Sequence, residues 1–502
     1  LFGYQQSSRK EEVEIFGGLT AETQETDAAW EAAEDYDLAL SVDDEDQGFH
    51  CQFAYPTRLF NDETIARMAT HFQTLLESIA ANPDRQISQL PLLTERERER
   101  VLIDFNKTRV DFPDQGCVHQ LFERQVQRAP EAVALVFEGQ SQSYLQLNSR
   151  ANQIARYLVG LGVGPEVIVG ICLRPSLELG ASILGVLKAG GAYLPLDPDD
   201  LRERLDYFVA DTRPAVILTT ANLADQFSAL DARVVCVDSD SPMISLESED
   251  DLPCLVTAEN AVCVLYTSGS SGKPKAAVNL HRGVRNYLLW KQRQLGLCAT
   301  DNVLFTTPLS FDVSVEEFFD ALCCGGRVVI AKPGSQSEPN YLVQLIRREG
   351  VTTACFVPSV LRFLLEEQDF AQCHSLRSVF CGGEALTPDL MEAFLQHSKS
   401  ELYNVYGPTE ASMGVTVWKC HLNYERDVIP IGQPISNVRV YILDSERNPV
   451  PIGVAGELYI GGVAVARGYL NRPELNALHF IPDPFSGIAG DLLYSTGDRC
   501  CW

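Results

Sequence analysis

Residues 266–275 read Tyr266-Thr267-Ser268-Gly269-Ser270-Ser271-Gly272-Lys273-Pro274-Lys275, and they follow the apolar residues 261–265. The apolar stretch predicts a buried strand, and the Gly/Ser-rich segment predicts a loop at its end. Small residues let the backbone approach an anion, and hydroxyl and amide groups then bind phosphate oxygens while lysines add positive charge. The segment therefore predicts a phosphate-binding loop, with a flexible loop that binds no ligand as the alternative.

Two better-known loop motifs do not fit this segment. A Walker A loop has the spacing GxxxxGK[ST], whereas the chain has GxxGK at residues 269–273. Ser270 and Lys273 match the SxxK of β-lactamases, but the chain has neither the Ser-Asp-Asn nor the Lys-Thr-Gly that accompanies it. P-loop and β-lactamase chemistry are therefore excluded.

Outward from the loop, short apolar strands alternate with amphipathic helices. Strands are predicted at residues 133–137, 167–172, 216–219 and 234–237, and helices at 145–158 and 177–188. Such alternation predicts an α/β fold with mostly parallel sheets covered by helices. Strands at residues 438–443 and 457–460 predict a smaller β-rich subdomain, and a further amphipathic helix is predicted near residues 62–80.

Composition limits the classes of partner. The 502 residues contain 40 Lys plus Arg and 68 Asp plus Glu, for a net charge of −28, which disfavours nucleic acids and anionic membranes as partners. No uncharged apolar stretch reaches the length of a membrane span, and the first residues do not resemble a signal peptide. The 15 cysteines include no CxxC pair, which predicts reduced thiols in a cytoplasmic protein.

The loop resembles the phosphate-loop motif of the adenylate-forming superfamily. Other segments are similar to motifs of that superfamily in the same order, at residues 143–147, 187–197, 311–314, 404–410, 456–462, 466–470 and 494–498. Residues 119–502 thereby resemble the amino-acid adenylation domain of nonribosomal peptide synthetases. The implied fold is the large N-terminal core of an adenylate-forming (ANL-type) enzyme.

The resemblance also implies a domain organisation. Residues 1–93 resemble the C-terminal end of a condensation domain, residues 94–118 a linker, residues 119–430 the α/β core, and residues 431–502 a β-rich subdomain. No His-His-x-x-x-Asp-Gly motif occurs, so condensation catalysis is not expected. The family's C-terminal lobe with its catalytic lysine, and the carrier domain that bears phosphopantetheine, are expected to be missing, so adenylation by this core is expected to be slow.

The resemblance implies that an amino acid and ATP react to give an aminoacyl-adenylate and pyrophosphate, with Mg²⁺ as cofactor. Thr267, Thr409 and Glu410 would be catalytic, and Glu410 would hold the metal. Tyr406 would stack on adenine, and Asp498 would accept the ribose hydroxyls. The full set implied to bind ATP is Thr267, Ser268, Gly269, Ser270, Ser271, Gly272, Lys273, Lys275, Gly382, Gly383, Glu384, Asn404, Tyr406, Thr409 and Asp498.

The same resemblance implies an amino-acid pocket. Its lining would be Asp312, Val313, Glu316, Cys355, Phe380, Gly382, Val405, Met413 and Gly414. Asp312 would pair with the substrate's ammonium, since a buried carboxylate requires such a partner. Glu316 follows Asp312 by one helical turn and would face the same cavity, unless it is a solvated helix residue.

An inward-facing Glu316 requires a donor or a cation. Gly382 and Gly414 are expected to leave room for a long side chain. Arginine is therefore expected first, tyrosine second and lysine third, and the pocket resembles arginine-accepting pockets of cyanobacterial synthetases such as those that make anabaenopeptins. Neighbouring condensation and carrier domains of a parent synthetase are the expected protein partners. Two other functions stay open: acyl-CoA-ligase-like activation of another carboxylic acid, and a non-catalytic fragment that binds nucleotide.

Overall fold

The computed structural model describes residues 2–6, 36–45, 48–112, 116–228, 232–268, 272–424 and 426–502. The chain forms two compact units. The first comprises residues 1–105, 441–458 and 497–502, and the second comprises residues 106–440 and 459–496. The loop residues Gly269, Ser270 and Ser271 lie outside the described ranges.

The first unit begins with a small sheet followed by two helices. Its elements are β1 (Phe2–Gln6), β2 (Ala39–Glu45), β3 (Gly48–Ala54), α1 (Asp62–Ala81) and α2 (Glu95–Leu102). Strand β2 is central, parallel to β1 and antiparallel to β3. Helix α1 confirms the predicted amphipathic helix, and the Asn61 side chain caps it by accepting from the Thr64 amide.

Helix α2 lies within the predicted linker. It forms because Thr94 accepts from the Glu97 amide at its N-terminus and two acidic residues occupy its first turn. Glu97 also contacts His71 of α1 at 2.5 Å and accepts from the Ile452 amide at 3.3 Å. The alternating Glu/Arg residues at the start of the linker therefore form a packed helix.

The remaining elements follow the predicted alternation. The strands are β4 (Val133–Phe137), β5 (Gln140–Ser143), β6 (Ile168–Ile171), β7 (Ala192–Pro195), β8 (Val216–Thr219), β9 (Arg233–Cys236), β10 (Ala261–Thr267), β11 (Lys275–Leu280), β12 (Asn302–Phe305), β13 (Arg327–Ile330), β14 (Thr353–Phe356), β15 (Ser378–Cys381), β16 (Glu401–Tyr406), β17 (Thr416–Lys419), β18 (Gln433–Pro434), β19 (Val438–Leu443), β20 (Gly456–Gly462), β21 (Phe480–Pro482) and β22 (Leu492–Cys500). The helices are α3 (Val118–Arg128), α4 (Tyr144–Gly160), α5 (Leu177–Lys188), α6 (Arg202–Thr212), α7 (Ser241–Ile244), α8 (His281–Leu295), α9 (Val313–Cys324), α10 (Pro339–Glu349), α11 (Pro358–Glu366), α12 (Pro388–His397) and α13 (Pro473–His479).

Two large sheets dominate the second unit. One has six strands in the order β11-β10-β7-β6-β8-β9, and the other has nine in the order β18-β17-β16-β15-β14-β12-β13-β4-β5. Within each sheet the inner strands pair in parallel. Antiparallel pairing occurs at the β11 edge of the six-stranded sheet and at both edges of the nine-stranded sheet. The inner strands are short, apolar and buried, as expected when helices cover both faces of a parallel sheet. A four-stranded sheet has the order β19-β20-β22-β21.

The sheets bring the segments with predicted chemistry to strand ends. Strands β10 and β11 flank the phosphate loop, with Thr267 opposite Lys275 in the antiparallel register. Asp312 precedes α9, and Thr409 follows β16 after a short turn. All fifteen cysteines are described and are free thiols. In the described ranges, no helix is both long and apolar enough to span a bilayer.

Candidate active site

Four side chains from three segments meet beside the phosphate loop. Thr267 Oγ1 donates to Glu410 Oε1 at 3.1 Å, and Lys275 Nζ lies 3.2 Å from the same oxygen. Tyr469 OH donates to Glu410 Oε1 at 2.8 Å, and Lys275 Nζ lies 4.2 Å from the centroid of the Tyr469 ring. Glu410 is therefore held at the end of the β10–β11 pair by a hydroxyl, a phenol and a cation.

Tyr469 belongs to the motif at residues 466–470, but no role was predicted for it from sequence. The position is fixed by its neighbours: its phenol contacts Lys275 Nζ at 2.5 Å and Tyr494 OH at 3.2 Å. Burial and the Glu410 carboxylate raise the pKa of Tyr469. The phenol therefore stays protonated and donates to Glu410.

The described part of the loop presents both backbone and charge to solvent. Ser268 and Lys273 are exposed, and Gly272 has a φ of +79°, a conformation that favours glycine. The predicted roles of Gly269, Ser270 and Ser271 fall outside the described residues. Lys273 is exposed whereas Lys275 is largely enclosed, so the two lysines of the loop have different surroundings.

Asp312, the residue predicted to bind the substrate's ammonium, is hydrogen-bonded to the segment that contains Glu410. Thr409 Oγ1 donates to Asp312 Oδ2 at 2.8 Å, and Thr409 is the residue immediately before Glu410. Burial raises the pKa of Asp312 to about 6, although the Thr409 hydrogen bond opposes the shift. The carboxylate is thus short of positive charge, which is the condition for pairing with an ammonium group.

Glu316 faces inward, as predicted, but it already has a cationic partner. Lys291 Nζ of α8 donates to Glu316 Oε2 at 2.7 Å, and Tyr287 OH donates to the same oxygen at 2.5 Å. Tyr287 and Lys291 lie one turn apart on α8, as Glu316 and Asp312 do at α9. The assumption that Glu316 awaits an external cation is therefore wrong, because α8 supplies one.

Lys291 contacts two carboxylates close to the predicted lining residues. Its side chain has no solvent exposure, and Nζ lies 2.6 Å from Asp320 Oδ2 and 3.9 Å from the centroid of the Phe380 ring. Burial alone would lower the pKa of Lys291, but the carboxylates of Asp320 and Glu316 raise it well above its ordinary value. Burial raises the pKa of Asp320 to about 7. No sequence pattern points to Lys291, since a lysine in an amphipathic helix usually faces water.

The two pocket glycines do not leave the space expected of them. A Cβ on Gly414 would lie 2.6 Å from Val405 Cγ1 and 2.8 Å from Tyr287 Cε2, and one on Gly382 would lie 2.7 Å from the Val405 carbonyl oxygen. These glycines are needed because neighbouring atoms already fill the space. The space expected for a long side chain is therefore absent at these two positions.

The other predicted lining residues are mostly apolar and close together. Cys355 and Phe380 are buried with Tyr403, and the Phe380 and Tyr403 rings stack at 5.2 Å. Val313 and Val405 pack against this group. Met413 is buried and has a φ of +78°, so the backbone turns sharply there.

The residues implied to bind adenine and ribose have mixed surroundings. Tyr406 is half-buried at the end of β16, and Gly383 has a φ of +81°. The Asn404 side chain donates to the Pro430 carbonyl at 2.8 Å, and the Glu384 carboxylate accepts from the Ser359 amide and hydroxyl at 3.1 Å each. Asp498 is exposed on β22 and belongs to the first unit, whereas the other predicted ligands belong to the second.

The chemistry of Glu410 fits Mg²⁺ held jointly with phosphate. The described residues contain no cluster of three or more His, Cys, Asp or Glu side chains able to hold a metal. Mg²⁺ at nucleotide sites typically takes one or two carboxylates, with phosphate oxygens and water as its other ligands. One nearly buried carboxylate beside the Thr267 hydroxyl satisfies this requirement.

Comparison with known protein families gives two matches. Residues 122–470 match the model of AMP-binding enzymes, and residues 2–102 match that of condensation domains. Among curated proteins, the chain is 39% identical over 463 residues to tyrocidine synthase 3 of Brevibacillus parabrevis. It is 40% identical over 477 residues to phosphinothricin tripeptide synthetase PhsB of Streptomyces viridochromogenes.

These relatives are much longer than the chain. The matches cover 92% and 93% of the chain but 7% and 40% of the two relatives. Two solved structures are also similar. The nonribosomal peptide synthetase FmoA3 bound to α-methyl-L-serine-AMP has a TM-score of 0.84 and 29% identity, over 93% of this chain and 53% of its own. A four-domain synthetase, holo-AB3403 bound to AMP and glycine, has a TM-score of 0.80 and 28% identity, over 93% of this chain and 34% of its own. The predicted adenylate-forming fold is confirmed.

Proposed function

Because the chain belongs to the family of AMP-binding enzymes, we propose that it activates an amino acid with ATP for nonribosomal peptide synthesis. The products would be an aminoacyl-adenylate and pyrophosphate. In this reaction the substrate carboxylate attacks the α-phosphorus of ATP, so two anions must be brought together. Catalysis then depends on positioning and on charge neutralisation.

One observation carries the proposal. The Asp312 carboxylate is hydrogen-bonded to Thr409, and the next residue, Glu410, contacts Thr267 and Lys275 beside the phosphate loop. A group suited to an α-ammonium is therefore connected through two adjacent residues to groups suited to phosphate. An enzyme that joins an amino acid to the α-phosphate requires these two sites to be neighbours.

Each residue of the site has a separate role in the proposed reaction. Asp312 would hold the substrate's ammonium and orient its carboxylate towards the α-phosphorus. Lys275 and the loop amides would neutralise phosphate charge. Thr409 donates its single hydroxyl proton to Asp312 in the free protein, and it would turn that proton to the α-phosphate once the ammonium occupies Asp312. Glu410 would bind Mg²⁺, which supplies charge neutralisation at the phosphate oxygens when bound.

The test is ATP–pyrophosphate exchange with the full chain against a panel of amino acids. Exchange that requires an amino acid supports the proposal, and Asp312→Asn should abolish it while ATP affinity, measured by calorimetry, is retained. Exchange driven by acids without an ammonium would instead support acyl-CoA-ligase-like activation. ATP binding without exchange for any acid would support a non-catalytic fragment.

The proposal extends to the side chain of the amino acid, for which the contacts of Glu316 provide support. The sequence ranks arginine before tyrosine and lysine because it assigns no partner to Glu316. With Lys291 and Tyr287 bonded to that carboxylate, we favour tyrosine over arginine. A phenol brings no charge to a carboxylate that is already paired, and it can donate to Glu316 while Phe380 packs against its ring.

The wider setting is proposed on the same basis. The condensation-domain match at residues 2–102 supports a neighbouring condensation domain in a parent synthetase, and the activated amino acid would pass to a carrier domain bearing phosphopantetheine. The adenine and ribose roles of Tyr406 and Asp498, and the three domain boundaries at residues 93, 118 and 430, remain predictions. A cytoplasmic location is likewise a prediction, drawn from the cysteine pattern of the sequence.

A further inference from the structure

The second unit contains a buried polar cluster beside the predicted lining of the amino-acid pocket. It comprises Tyr287 and Lys291 on α8 and Glu316 and Asp320 on α9, and we name it the α8–α9 cluster. All four side chains are buried. Its carboxylates continue the line of Asp312 along α9 at intervals of four residues.

A single ammonium group, that of Lys291, balances both carboxylates of this cluster. Lys291 forms its hydrogen bond with Glu316, and its contact with Asp320 is an ion pair at 2.6 Å. Asp320 Oδ2 therefore has the ammonium as its partner, whereas no hydrogen-bond partner for Asp320 Oδ1 is found among the described residues. Removing Lys291 would leave two buried carboxylates without a counter-charge, so this one ammonium sets the charge of the cluster.

The cluster also touches the residues predicted to surround the substrate. Lys291 Nζ lies over the face of Phe380, and the Tyr287 ring fills the space beside Gly414. Glu316 itself is a predicted lining residue. The charge of Lys291 is therefore adjacent to the place where the tip of a substrate side chain would lie.

We propose that Lys291 determines specificity: by occupying Glu316 and Asp320 it excludes cationic amino acids and selects a neutral side chain with a hydrogen-bonding tip. The inference rests on the proposed amino-acid site. Lys291 acts through Glu316 and is a positioning residue. Its ammonium already binds Glu316 and repels a second ammonium or guanidinium at short range in a dry site, so a cationic side chain gains less from that carboxylate than it would without Lys291.

The decisive variant is Lys291→Met combined with Asp320→Asn. It removes the cation and one carboxylate, leaves Glu316 as the single charge, and avoids the instability of two unpaired carboxylates. We expect the ratio of kcat/KM for arginine to that for tyrosine to rise by about tenfold or more. A merely structural role would lower both values alike and leave their ratio unchanged, which would overturn the inference.

Two controls define the result. Asp320→Asn alone keeps Lys291 and should not raise the ratio, and adding Glu316→Gln to the double variant should abolish the rise. Calorimetric titration with arginine and with tyrosine gives the same comparison without turnover.

If the wild type exchanges no amino acid, the proposed function fails, whereas tighter arginine binding by the double variant alone still supports Lys291 as the residue that sets specificity. Unchanged relative binding, or a wild type that prefers arginine, refutes it.

Discussion

Asp312 is positioned for binding at the expense of stability. Its pKa is raised by burial from 3.8 to about 6, so the folded protein binds this proton more tightly than the unfolded chain does. The stabilisation from the protonated form is complete below pH 3.8 and is lost as the pH rises through 6. The loss amounts to about 3 kcal/mol above pH 6.

We predict that Asp312→Asn is more stable than the wild type at pH 8 by about 1–3 kcal/mol, because no buried carboxylate remains to ionise. Asparagine can still accept from Thr409. Urea denaturation at pH values from 4 to 8 measures the difference. It should shrink as the pH falls towards 4, and a difference independent of pH would contradict the assigned cause.

Asp498 allows an independent test of the predicted ribose site. It is exposed on β22, so Asp498→Ala should leave the fold intact. We expect nucleotide affinity to fall by about 1–3 kcal/mol, because the ribose hydroxyls would lose a charged acceptor. Calorimetric titration with ATP measures the change. An unaltered affinity would place the ribose elsewhere.

At the scale of elements, local patterns predicted several strands and helices closely. The range of β4 matches its predicted residues 133–137, and α5 matches residues 177–188, because each has a clear hydrophobic period bounded by turn residues. Lys291 shows where such reasoning ends. Its burial depends on carboxylates of α9 about 25 residues later, which no period within α8 reveals.

Gly414 is a second position at which prediction from sequence fails. In the sequence a glycine indicates free space, whereas the Tyr287 ring from α8 occupies that space in the fold. The residues of the phosphate loop were easier to select from sequence, since they are adjacent in a distinctive segment, and their roles stay predictions. Sites built by one segment can be found from sequence, and those built by packing two helices cannot.

His281 at the start of α8 and His119 at the start of α3 form a pair of buried histidines that should make the fold sensitive to acid. His281 Nδ1 accepts from the Val118 amide of α3 at 3.2 Å, and its ring lies 5.7 Å from that of His119. Burial lowers the pKa of His281 to about 4, opposed by Glu166, and lowers that of His119 well below its ordinary value, aided by His281 and Lys188. Neutral histidines therefore stabilise the fold above pH 6.5, and this contribution is lost as the pH falls towards 4.

We predict that His281→Gln reduces the loss of stability between pH 6.5 and pH 4 by up to about 3 kcal/mol, because glutamine can accept from Val118 without titrating. Chemical denaturation of wild type and variant at a series of pH values measures this slope. His119 should account for part of the remaining slope. Identical slopes for both proteins would mean that other groups cause the acid sensitivity.

For the whole molecule, charge opposes the approach of nucleotide. The chain carries a net charge of −28, which repels a polyanion at distances within the Debye length, about 8 Å at physiological salt. Positive charge near the entrance must offset this repulsion locally. The exposed Lys273 is placed to do so, whereas the Lys275 side chain is only 15% exposed and is paired with Glu410.

The two lysines are therefore expected to act on different rates, Lys273 on nucleotide association and Lys275 on nucleotide dissociation. An exposed charge at the rim of a site acts mainly on the association rate, and an enclosed one acts mainly on dissociation. In stopped-flow measurements with a fluorescent ATP analogue, Lys273→Ala should slow association and change its dependence on salt. Lys275→Ala should chiefly accelerate release, by about tenfold or more. Equal effects of the two variants on both rates would contradict this division. In an acidic enzyme, one lysine would govern how often nucleotide arrives and its neighbour how long it stays.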